Sequence, residues 1–307
     1  MLAVQPEPPL DGVLIPHRTT LSPLRYGSGD PTTRLLPGEL WRATHTPDGP
    51  ATVHLDWRDG TVRTRSWGTG ADWLEATVPH MLGHHDQPVL FDDDAHPIVV
   101  RAQRNHPYLR LGASRDLYHE LLPVILAQRI TAGEACAQWR RLCVELGEPA
   151  PGPVPGTGPV LRLPPHPDRL ATTPSWWFHP LGIERKRAGA LIAVARHATK
   201  LWGWGAAGSI ETARKLVLLP GVGEWTIGVV LATALGEPDA VPVGDFHVKN
   251  SVAWALAGEP RATDERMLAL LERYRGQRGR VVRLLQLDVG GAPKFGPRKR
   301  ILPMARW

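Results

Sequence analysis

The sequence is poor in cysteine, and Cys136 and Cys143 are the only two in 307 residues. Two thiols cannot supply the four cysteine ligands of an iron–sulfur cluster, and they are too few to staple a secreted protein of this size. Their spacing places them two turns apart on one predicted helix, where we interpret both as reduced packing residues. No iron–sulfur cofactor is therefore expected.

The sequence also lacks a long hydrophobic run. No apolar stretch approaches the roughly 20 residues that a membrane-spanning helix needs, and residues 1–9 lack the cationic start and apolar stretch of a secretory signal. Hydrophobic residues make up 42% of the chain and charged residues 21%, which is typical of a globular protein. We therefore expect a cytoplasmic protein of two or three domains that does not bind a membrane.

Acidic residues are outnumbered, with 30 Asp and Glu against 36 Lys and Arg, a net charge of +6 and a pI near 9.7. Most of the basic residues are Arg, whose planar guanidinium is the better phosphate ligand. The excess lies near the C-terminus, at Arg273, Arg275, Arg278, Arg280 and Arg283 and at Lys294, Arg298, Lys299, Arg300 and Arg306. This pattern favours a polyanionic partner, and ordinary solvated surface charge is the alternative that it leaves open.

Turn residues and changes of hydrophobic period divide the chain into four segments. Residues 1–34 are rich in Pro, Gly and polar residues and predict an irregular arm. Residues 35–112 have mainly a two-residue period, with a hairpin at Asp59-Gly60 and a helix over 71–82, which predicts an α+β domain with an antiparallel sheet. Residues 113–290 have a helical period and predict an all-α region. Residues 291–307 form a basic tail.

Helices in the all-α region are predicted individually. The first covers residues 117–130, and a capping box at Thr131 and Glu134 opens the second. Further helices are predicted at about 184–201, 209–218, 224–235, 246–257, 264–274 and 278–288.

The most informative segment connects two of these helices and reads Leu218-Leu219-Pro220-Gly221-Val222-Gly223-Glu224-Trp225-Thr226. Two glycines around one apolar residue allow the backbone to turn at positive φ and leave unpaired N–H groups at the start of the next helix. Those donors, together with the helix dipole, can hold a phosphate. Taken alone, a Gly-x-Gly turn is more often an ordinary connection between helices.

A second segment, Val241-Pro242-Val243-Gly244-Asp245-Phe246-His247-Val248-Lys249-Asn250, places Asp245 at the start of a helix, where an Asp by itself is a plain N-cap. Together the two segments resemble the helix-hairpin-helix DNA glycosylase superfamily, whose signature is this hairpin followed by a Gly/Pro-rich loop and a catalytic Asp. Other stretches are similar to its 3-methyladenine DNA glycosylase II (AlkA-type) branch, namely Leu109-Arg110-Leu111, Ile125-Leu126-Ala127-Gln128, Leu181-Gly182-Ile183-Glu184-Arg185-Lys186-Arg187-Ala188 and Trp225.

The resemblance spans the chain from about residue 35. It implies an α+β N-terminal domain of the TATA-binding-protein shape, followed by an all-α helix-hairpin-helix glycosylase region. The implied function is that of a monofunctional DNA glycosylase of base excision repair, which flips a damaged, alkylated base from duplex DNA and hydrolyses its N-glycosidic bond. The expected partner is double-stranded DNA that contains a damaged base. The protein is expected to be a monomer associated with the nucleoid.

The resemblance also assigns roles to particular residues. Asp245 is expected to be the catalytic carboxylate. DNA binding is expected from Leu219, Gly221, Val222 and Gly223 of the hairpin, from Leu111 as a candidate wedge in the duplex, and from Lys249 on a phosphate. The base pocket is expected to contain Trp225, Gln128 and Trp176. No metal site made of side chains is expected, but in this family hairpin carbonyls, here those of Leu219 and Val222, often hold Na⁺ or K⁺.

Two departures from the family pattern bear on the chemistry. The second pocket aromatic of the family falls at Val229 and a third falls near Arg278, so this chain lacks both. A glycosylase with lyase activity needs a Lys after the hairpin to form a Schiff base, and that position holds Trp225. The sequence therefore predicts base excision without strand cleavage, with Trp225 as one wall of the base pocket.

Two other functions are compatible with the sequence. A non-catalytic protein that binds damaged DNA would keep the fold and differ in whether Asp245 is needed for turnover. A metallohydrolase would use His84, His85, Asp86 and Asp92 to Asp94, but that cluster lies in a polar loop with no helical spacing to aim its ligands. A solvated turn is the favoured interpretation of that loop.

Overall fold

The computed structural model describes residues 17–92, 94–153 and 156–293. The first part of the predicted arm, Asp93 and the basic tail from Lys294 onward lie outside these ranges. Within them, no helix is long and apolar enough to cross a membrane.

Four strands form one antiparallel sheet with the order β1-β2-β3-β4. They are β1 (Thr33–Leu36), β2 (Glu39–Thr46), β3 (Gly49–Asp56) and β4 (Arg63–Trp67). The hairpin predicted at Asp59-Gly60 is confirmed, because β3 pairs with β4 and Gly60 turns at a φ of +86°. The α+β character is thus confirmed, whereas the TATA-binding-protein shape stays a prediction.

The described residues contain fourteen α-helices and four short 3-10 helices. The α-helices are α1 (His17–Leu21), α2 (Ala71–Ala76), α3 (Val78–Met81), α4 (Pro97–Asn105), α5 (Leu117–Leu126), α6 (Ala132–Leu146), α7 (Pro167–Thr172), α8 (Arg185–Arg196), α9 (Ala198–Trp204), α10 (Ser209–Leu216), α11 (Glu224–Ala234), α12 (Val248–Ala257), α13 (Asp264–Leu271) and α14 (Arg278–Asp288). The 3-10 helices are Ser22–Leu24, Ser175–Leu181, Gly205–Ala207 and Glu272–Tyr274.

Most of the predicted helices are present, with small shifts at their ends. Thr131 is the N-cap of α6, as the predicted capping box requires, since its hydroxyl accepts the Glu134 N–H at 3.3 Å. The free cysteines Cys136 and Cys143 both lie on α6, as predicted. The helix predicted over 71–82 is present as α2 and α3, whereas α4, which follows them, was not predicted.

The arm predicted to be irregular differs from the structure in its described part. Leu21 of α1 and Leu24 of the following 3-10 helix are buried in the core beneath the sheet, with Leu40, Val53 and Leu55. Burial of these leucines offsets the entropy cost of ordering a Pro-rich segment. The polar composition of the arm therefore did not indicate that Leu21 and Leu24 anchor it to the core.

Two further cores lie in the helical region. Helices α5, α6, α8 and α11 supply most of the largest one, which includes Leu121, Trp139, Leu191 and Val230. Helices α4, α12, α13 and α14 surround a second one, which includes Val99, Val252 and Met267. The hairpin and Asp245 lie where these two groups of helices meet, because the hairpin precedes α11 and Asp245 precedes α12.

Buried polar contacts attach the sheet to α5. Arg42 of β2 donates to Glu120 of α5 at 2.7 Å, and the Thr44 hydroxyl donates to Asp116 at 2.5 Å. Burial raises the pKa of the Glu120 carboxyl, and the positive charge of Arg42 opposes that rise. These paired groups fix the position of the sheet on the helical region, because leaving either partner alone in the interior is costly.

Candidate active site and nucleic-acid interface

The hairpin between α10 and α11 is anchored by two buried apolar side chains. Leu219 and Val222 point into the helical core, whereas Pro220, Gly221 and Gly223 are exposed. The Val222 N–H donates to the Leu219 carbonyl at 3.1 Å and closes the turn. Leu219 and Val222 can therefore meet DNA only through their backbone atoms.

The two hairpin glycines have different conformations. Gly221 has a φ of +81°, as predicted, but Gly223 is extended, with a φ of −104° and a ψ of −177°, and stands at the N-cap of α11. The positive φ expected in this hairpin is therefore present at Gly221 and absent at Gly223. The first turn of α11 leaves N–H groups without intrahelical partners at an exposed edge, which suits an anion.

Gln128, expected in the base pocket, lies behind the hairpin. Its side-chain amide donates to the Gly221 carbonyl at 2.8 Å and to the Thr226 hydroxyl at 2.9 Å. Gln128 thus joins the end of α5 to the hairpin and to the first turn of α11. Its observed contacts hold the hairpin in position.

These geometries predict different effects for two matched substitutions. A Cβ at Gly221 would lie 2.7 Å from Ala190 Cβ, in a backbone conformation that disfavours side chains, whereas a Cβ at Gly223 meets nothing within 4 Å. We expect Gly221→Ala to lower the free energy of unfolding by more than about 1 kcal/mol. We expect Gly223→Ala to change it little.

Thermal or urea unfolding followed by circular dichroism measures both effects, with each protein also titrated on an undamaged duplex. Equal destabilisation by the two substitutions would contradict the assigned difference in backbone conformation.

Asp245 is half-buried and bound on both of its carboxylate oxygens. Oδ1 accepts the N–H groups of His247 at 2.8 Å and Val248 at 3.0 Å, so the side chain caps α12. Oδ2 accepts the indole N–H of Trp225 at 2.9 Å. The capping role considered from the sequence is thus present, and a second interaction from the hairpin helix accompanies it.

Trp225 lies at the start of α11, half-buried against the helical core. The loop before Asp245 approaches the same helix closely, since a Cβ at Gly228 would lie 2.4 Å from the Val241 carbonyl oxygen. This close approach, which requires a glycine, brings the indole and the carboxylate together. The contact shows Trp225 as a support of Asp245, a role that the sequence did not suggest.

Lys249, expected on a DNA phosphate, is bound to a carboxylate. Its Nζ lies 2.8 Å from Oδ2 of Asp264, whose Oδ1 accepts the Gly244 N–H at 2.8 Å. Asp264 therefore holds both the lysine and the loop that precedes Asp245.

Leu111, the candidate wedge, is half-buried in the loop before α5. Its N–H donates to Asp86 at 2.9 Å, and Ser114 and Arg115 further along this loop bond to carbonyls at the C-terminal end of α11. Leu111 thus lies toward the end of α11 opposite the hairpin.

An exposed aromatic ring next to the carboxylate was missed from the sequence. Phe246 follows Asp245 and is 73% exposed, an unusual position for a phenylalanine. The sequence did contain a signal for a functional role of Phe246, because this aromatic residue directly follows the candidate catalytic residue on a loop.

Trp176, expected in the base pocket, is 74% exposed on the 3-10 helix Ser175–Leu181. No hydrogen bond or ring contact joins it to Trp225 or Asp245 among the residues described. It stands next to an open groove that runs from the hairpin along α8. The groove is lined by Thr172, Ser175, Arg185, Lys186, Arg196, Pro220 and Gly221, among others.

The arginines expected to meet a polyanion have partners inside the protein. Arg278 donates to Asp239 at 2.5 Å, Arg280 is 2% exposed and donates to Asp86 at 3.0 Å, and Arg283 donates to the Thr19 carbonyl at 3.0 Å. Arg273 donates to the Asp94 carbonyl, and Arg275 donates to the Glu272 carboxylate. Arg278, Arg280 and Arg283 are thus engaged inside the protein, whereas Arg273 and Arg275 are exposed, and for these two the charge prediction stays a prediction.

Within the described ranges no group of three or more His, Cys, Asp or Glu residues could hold a metal ion. Asp86 of the loop considered for a metallohydrolase is bound to Arg280 instead. A monovalent cation at the hairpin is a different case, because it needs only carbonyl oxygens. The Leu219 carbonyl accepts one hydrogen bond and keeps a second lone pair, so it is compatible with such an ion.

The sequence matches no family model, and a search of curated proteins finds no relative. Solved structures do match. A 3-methyladenine DNA glycosylase from Archaeoglobus fulgidus is 16% identical, with a TM-score of 0.70 over 90% of this chain and 96% of that one. MBOgg1 in complex with a low-affinity DNA ligand is 15% identical, with a TM-score of 0.62 over 85% of this chain and 89% of that one. The 8-oxoguanine glycosylase/lyase of Clostridium acetobutylicum is 14% identical, with a TM-score of 0.60 over 86% of this chain and 90% of that one.

These similarities, together with the hairpin and the aspartate that follows it, define the fold. The chain has the fold of the helix-hairpin-helix DNA glycosylases, as the resemblance in its sequence implied. The identities are low, so the similarity establishes architecture.

Proposed function

We propose that this protein is a monofunctional DNA glycosylase that removes a damaged base, alkylated bases included, from duplex DNA. The observation that carries the proposal is the Asp245 carboxylate, held by the Trp225 indole and by the start of α12 directly beside the hairpin. A protein that only bound DNA would need Asp245 as a helix cap, but it would not need the hydrogen bond from the Trp225 indole to the carboxylate. We further propose that the protein acts as a monomer associated with the nucleoid.

The chemistry follows from the charge that develops during the reaction. As the base leaves, positive charge builds up on the sugar, and a fixed carboxylate beside C1′ stabilises it, as in glycosidases. Asp245 supplies that charge and can orient or deprotonate the attacking water. The base must first rotate out of the stack, and the exposed Phe246 next to Asp245 offers an apolar surface for the nucleotide.

The hairpin and the groove on α8 are proposed to hold the DNA backbone. Exposed N–H groups of the hairpin suit one phosphate, and Arg185, Lys186 and Arg196 continue a positive surface away from it. A monovalent cation held by the carbonyls of Leu219 and Val222 would add positive charge beside that phosphate. Lys249 is proposed to contribute only if it leaves Asp264.

This arrangement predicts a salt dependence that specific substitutions change. We expect affinity for undamaged duplex to fall steeply with salt, and Arg196→Gln to reduce the slope of log K against log salt by about 0.9. Arg275→Gln is the control, because it removes an exposed arginine that is already paired with Glu272. Fluorescence anisotropy between about 50 and 200 mM salt measures both slopes. A flat titration of the wild type, or equal slopes for the two variants, would contradict the proposed surface.

Absence of lyase activity is the second consequence. We expect an abasic product with an unbroken strand, because the position after the hairpin holds Trp225 and the nearest lysine downstream, Lys249, is bound to Asp264. The test incubates the protein with duplexes that carry 3-methyladenine, 7-methylguanine, 1,N6-ethenoadenine, hypoxanthine or uracil and measures released base, strand breaks and covalent trapping by borohydride. Trapping would show that a lysine reaches C1′. Binding without release of any base would favour the non-catalytic alternative.

A further inference from the structure

A small cavity lies beside α11, between this helix and the N-terminal segment. Its volume is about 130 Å³, close to the roughly 150 Å³ of an engineered cavity that takes up benzene. Pro23, Tyr26, Val229 and Thr233 line it and are partly or fully exposed, whereas the deeper lining residues are buried. The cavity therefore opens at the surface and has room for about one six-membered ring.

The position of the cavity relates it to the candidate active site. Val229 follows Trp225 by four residues, so the two side chains lie on the same face of α11, one helical turn apart. Trp225 in turn is bound to Asp245. A bulky side chain at position 229 would fill the cavity mouth, and valine leaves it open.

The floor of the cavity contains a buried donor without a partner. Arg42 is 1% exposed; its Nη1 donates to the Leu24 carbonyl at 2.8 Å and its Nη2 to Glu120 at 2.7 Å. No acceptor lies within reach of its Nε–H among the described residues. A buried donor left unpaired costs stability, so an acceptor supplied by a ligand would be bound favourably.

The other polar groups of the floor are not equivalent to Arg42. Asp30 accepts hydrogen bonds from the Thr32 N–H, the Tyr26 N–H and the Trp139 indole. Glu120 accepts hydrogen bonds from Arg42 and from the Ser114 side chain, and an ionised carboxylate has further acceptor sites. The floor thus combines a donor from Arg42 with an adjacent acceptor from Glu120.

We propose that this cavity receives the six-membered ring of the extruded base and selects a ring with an oxo group beside a ring N–H. Arg42 Nε–H would donate to the oxo oxygen, and Glu120 would accept the ring N–H. In a purine this ring is the one farther from the glycosidic nitrogen, so it enters first. 7-Methylguanine and hypoxanthine carry this edge, whereas 3-methyladenine and 1,N6-ethenoadenine do not. The inference rests on the proposed function and specifies its substrates.

Two pairs of bases matched in charge test this preference. 7-Methylguanine and 3-methyladenine are both cationic, and hypoxanthine and 1,N6-ethenoadenine are both neutral, so charge does not distinguish the members of either pair. We expect single-turnover release, corrected for spontaneous loss, to favour the oxo member of each pair by about tenfold or more. Equal release, or faster release of the adenine derivatives, would overturn the proposal.

Substitutions at the mouth assign the preference to the cavity without disturbing the Arg42–Glu120 pair. We expect Val229→Phe, which closes the mouth, to remove the preference, and Val229→Ala, which keeps it open, to retain it. A preference that survives Val229→Phe would place recognition elsewhere. Melting temperatures of both variants establish that the fold is intact.

A binding measurement separates this inference from the proposed activity. Two proteins are compared, the Asp245→Asn variant and the double variant that also carries Val229→Phe. Each is titrated with duplexes that carry hypoxanthine, 1,N6-ethenoadenine or a stable abasic analogue. We expect tighter binding of the hypoxanthine duplex than of the other two, and loss of that difference on Val229→Phe. No difference would reject the pocket, whereas a clear difference without any base release by the wild type would reject only the glycosylase activity.

Discussion

Asp245→Asn is expected to lower the rate of base excision by on the order of a hundredfold or more while leaving the fold and DNA affinity nearly unchanged. Asparagine keeps an oxygen that can accept the N–H groups of His247 and Val248, so the helix cap is retained. It removes the negative charge that stabilises the sugar cation. Single-turnover release of 7-methylguanine and hypoxanthine, together with the melting temperature, measures both expectations.

Glu224→Gln is the matched control for this experiment. Glu224 is exposed, begins α11 and adjoins Trp225, so its replacement also removes one negative charge from the same edge of the protein. We expect this variant to excise bases at close to the wild-type rate. Excision by Asp245→Asn within a few-fold of the wild-type rate would reduce Asp245 to a helix cap.

Features that depend on neighbours in the sequence were predicted well. The β3–β4 hairpin follows from alternation around Asp59-Gly60, and the start of α6 follows from the capping box at Thr131. Asp245 was found because a local pattern, a hairpin followed by an Asp at a helix start, carries the information. Turn chemistry, capping and periodicity are local and can be read without the tertiary structure.

Features that depend on which distant side chains meet were not predicted. The C-terminal arginines suggested a DNA-binding surface, but Arg278 and Arg280 are paired with Asp239 and Asp86, far away in the sequence. Similarly, Arg42 and Glu120 are 78 residues apart, and neither pattern nor charge indicates that they share a cavity. Such pairings arise only in the folded chain, as when the sheet packs against α5, so no local signal exists for them.

Trp225 shows the same limit within the site itself. From the sequence it was expected to be a wall of the base pocket, and an aromatic wall attracts cationic bases more than neutral ones. The hydrogen bond to Asp245 leads to a different expectation. A side chain that acts through the carboxylate affects every substrate, because each substrate needs the same charge beside C1′.

We therefore expect Trp225→Phe to lower excision of 7-methylguanine and hypoxanthine by the same factor, about tenfold or more, because one hydrogen bond to a charged group is lost. Phenylalanine keeps an aromatic ring against the helical core, so the melting temperature should change little, whereas Trp225→Leu should lower it as well. Affinity for a duplex with an abasic analogue should not change, which separates a positioning role from a general loss of DNA binding. A larger loss of excision for 7-methylguanine than for hypoxanthine would instead support Trp225 as a wall of the base pocket. An aromatic face attracts a cation more strongly than a neutral purine.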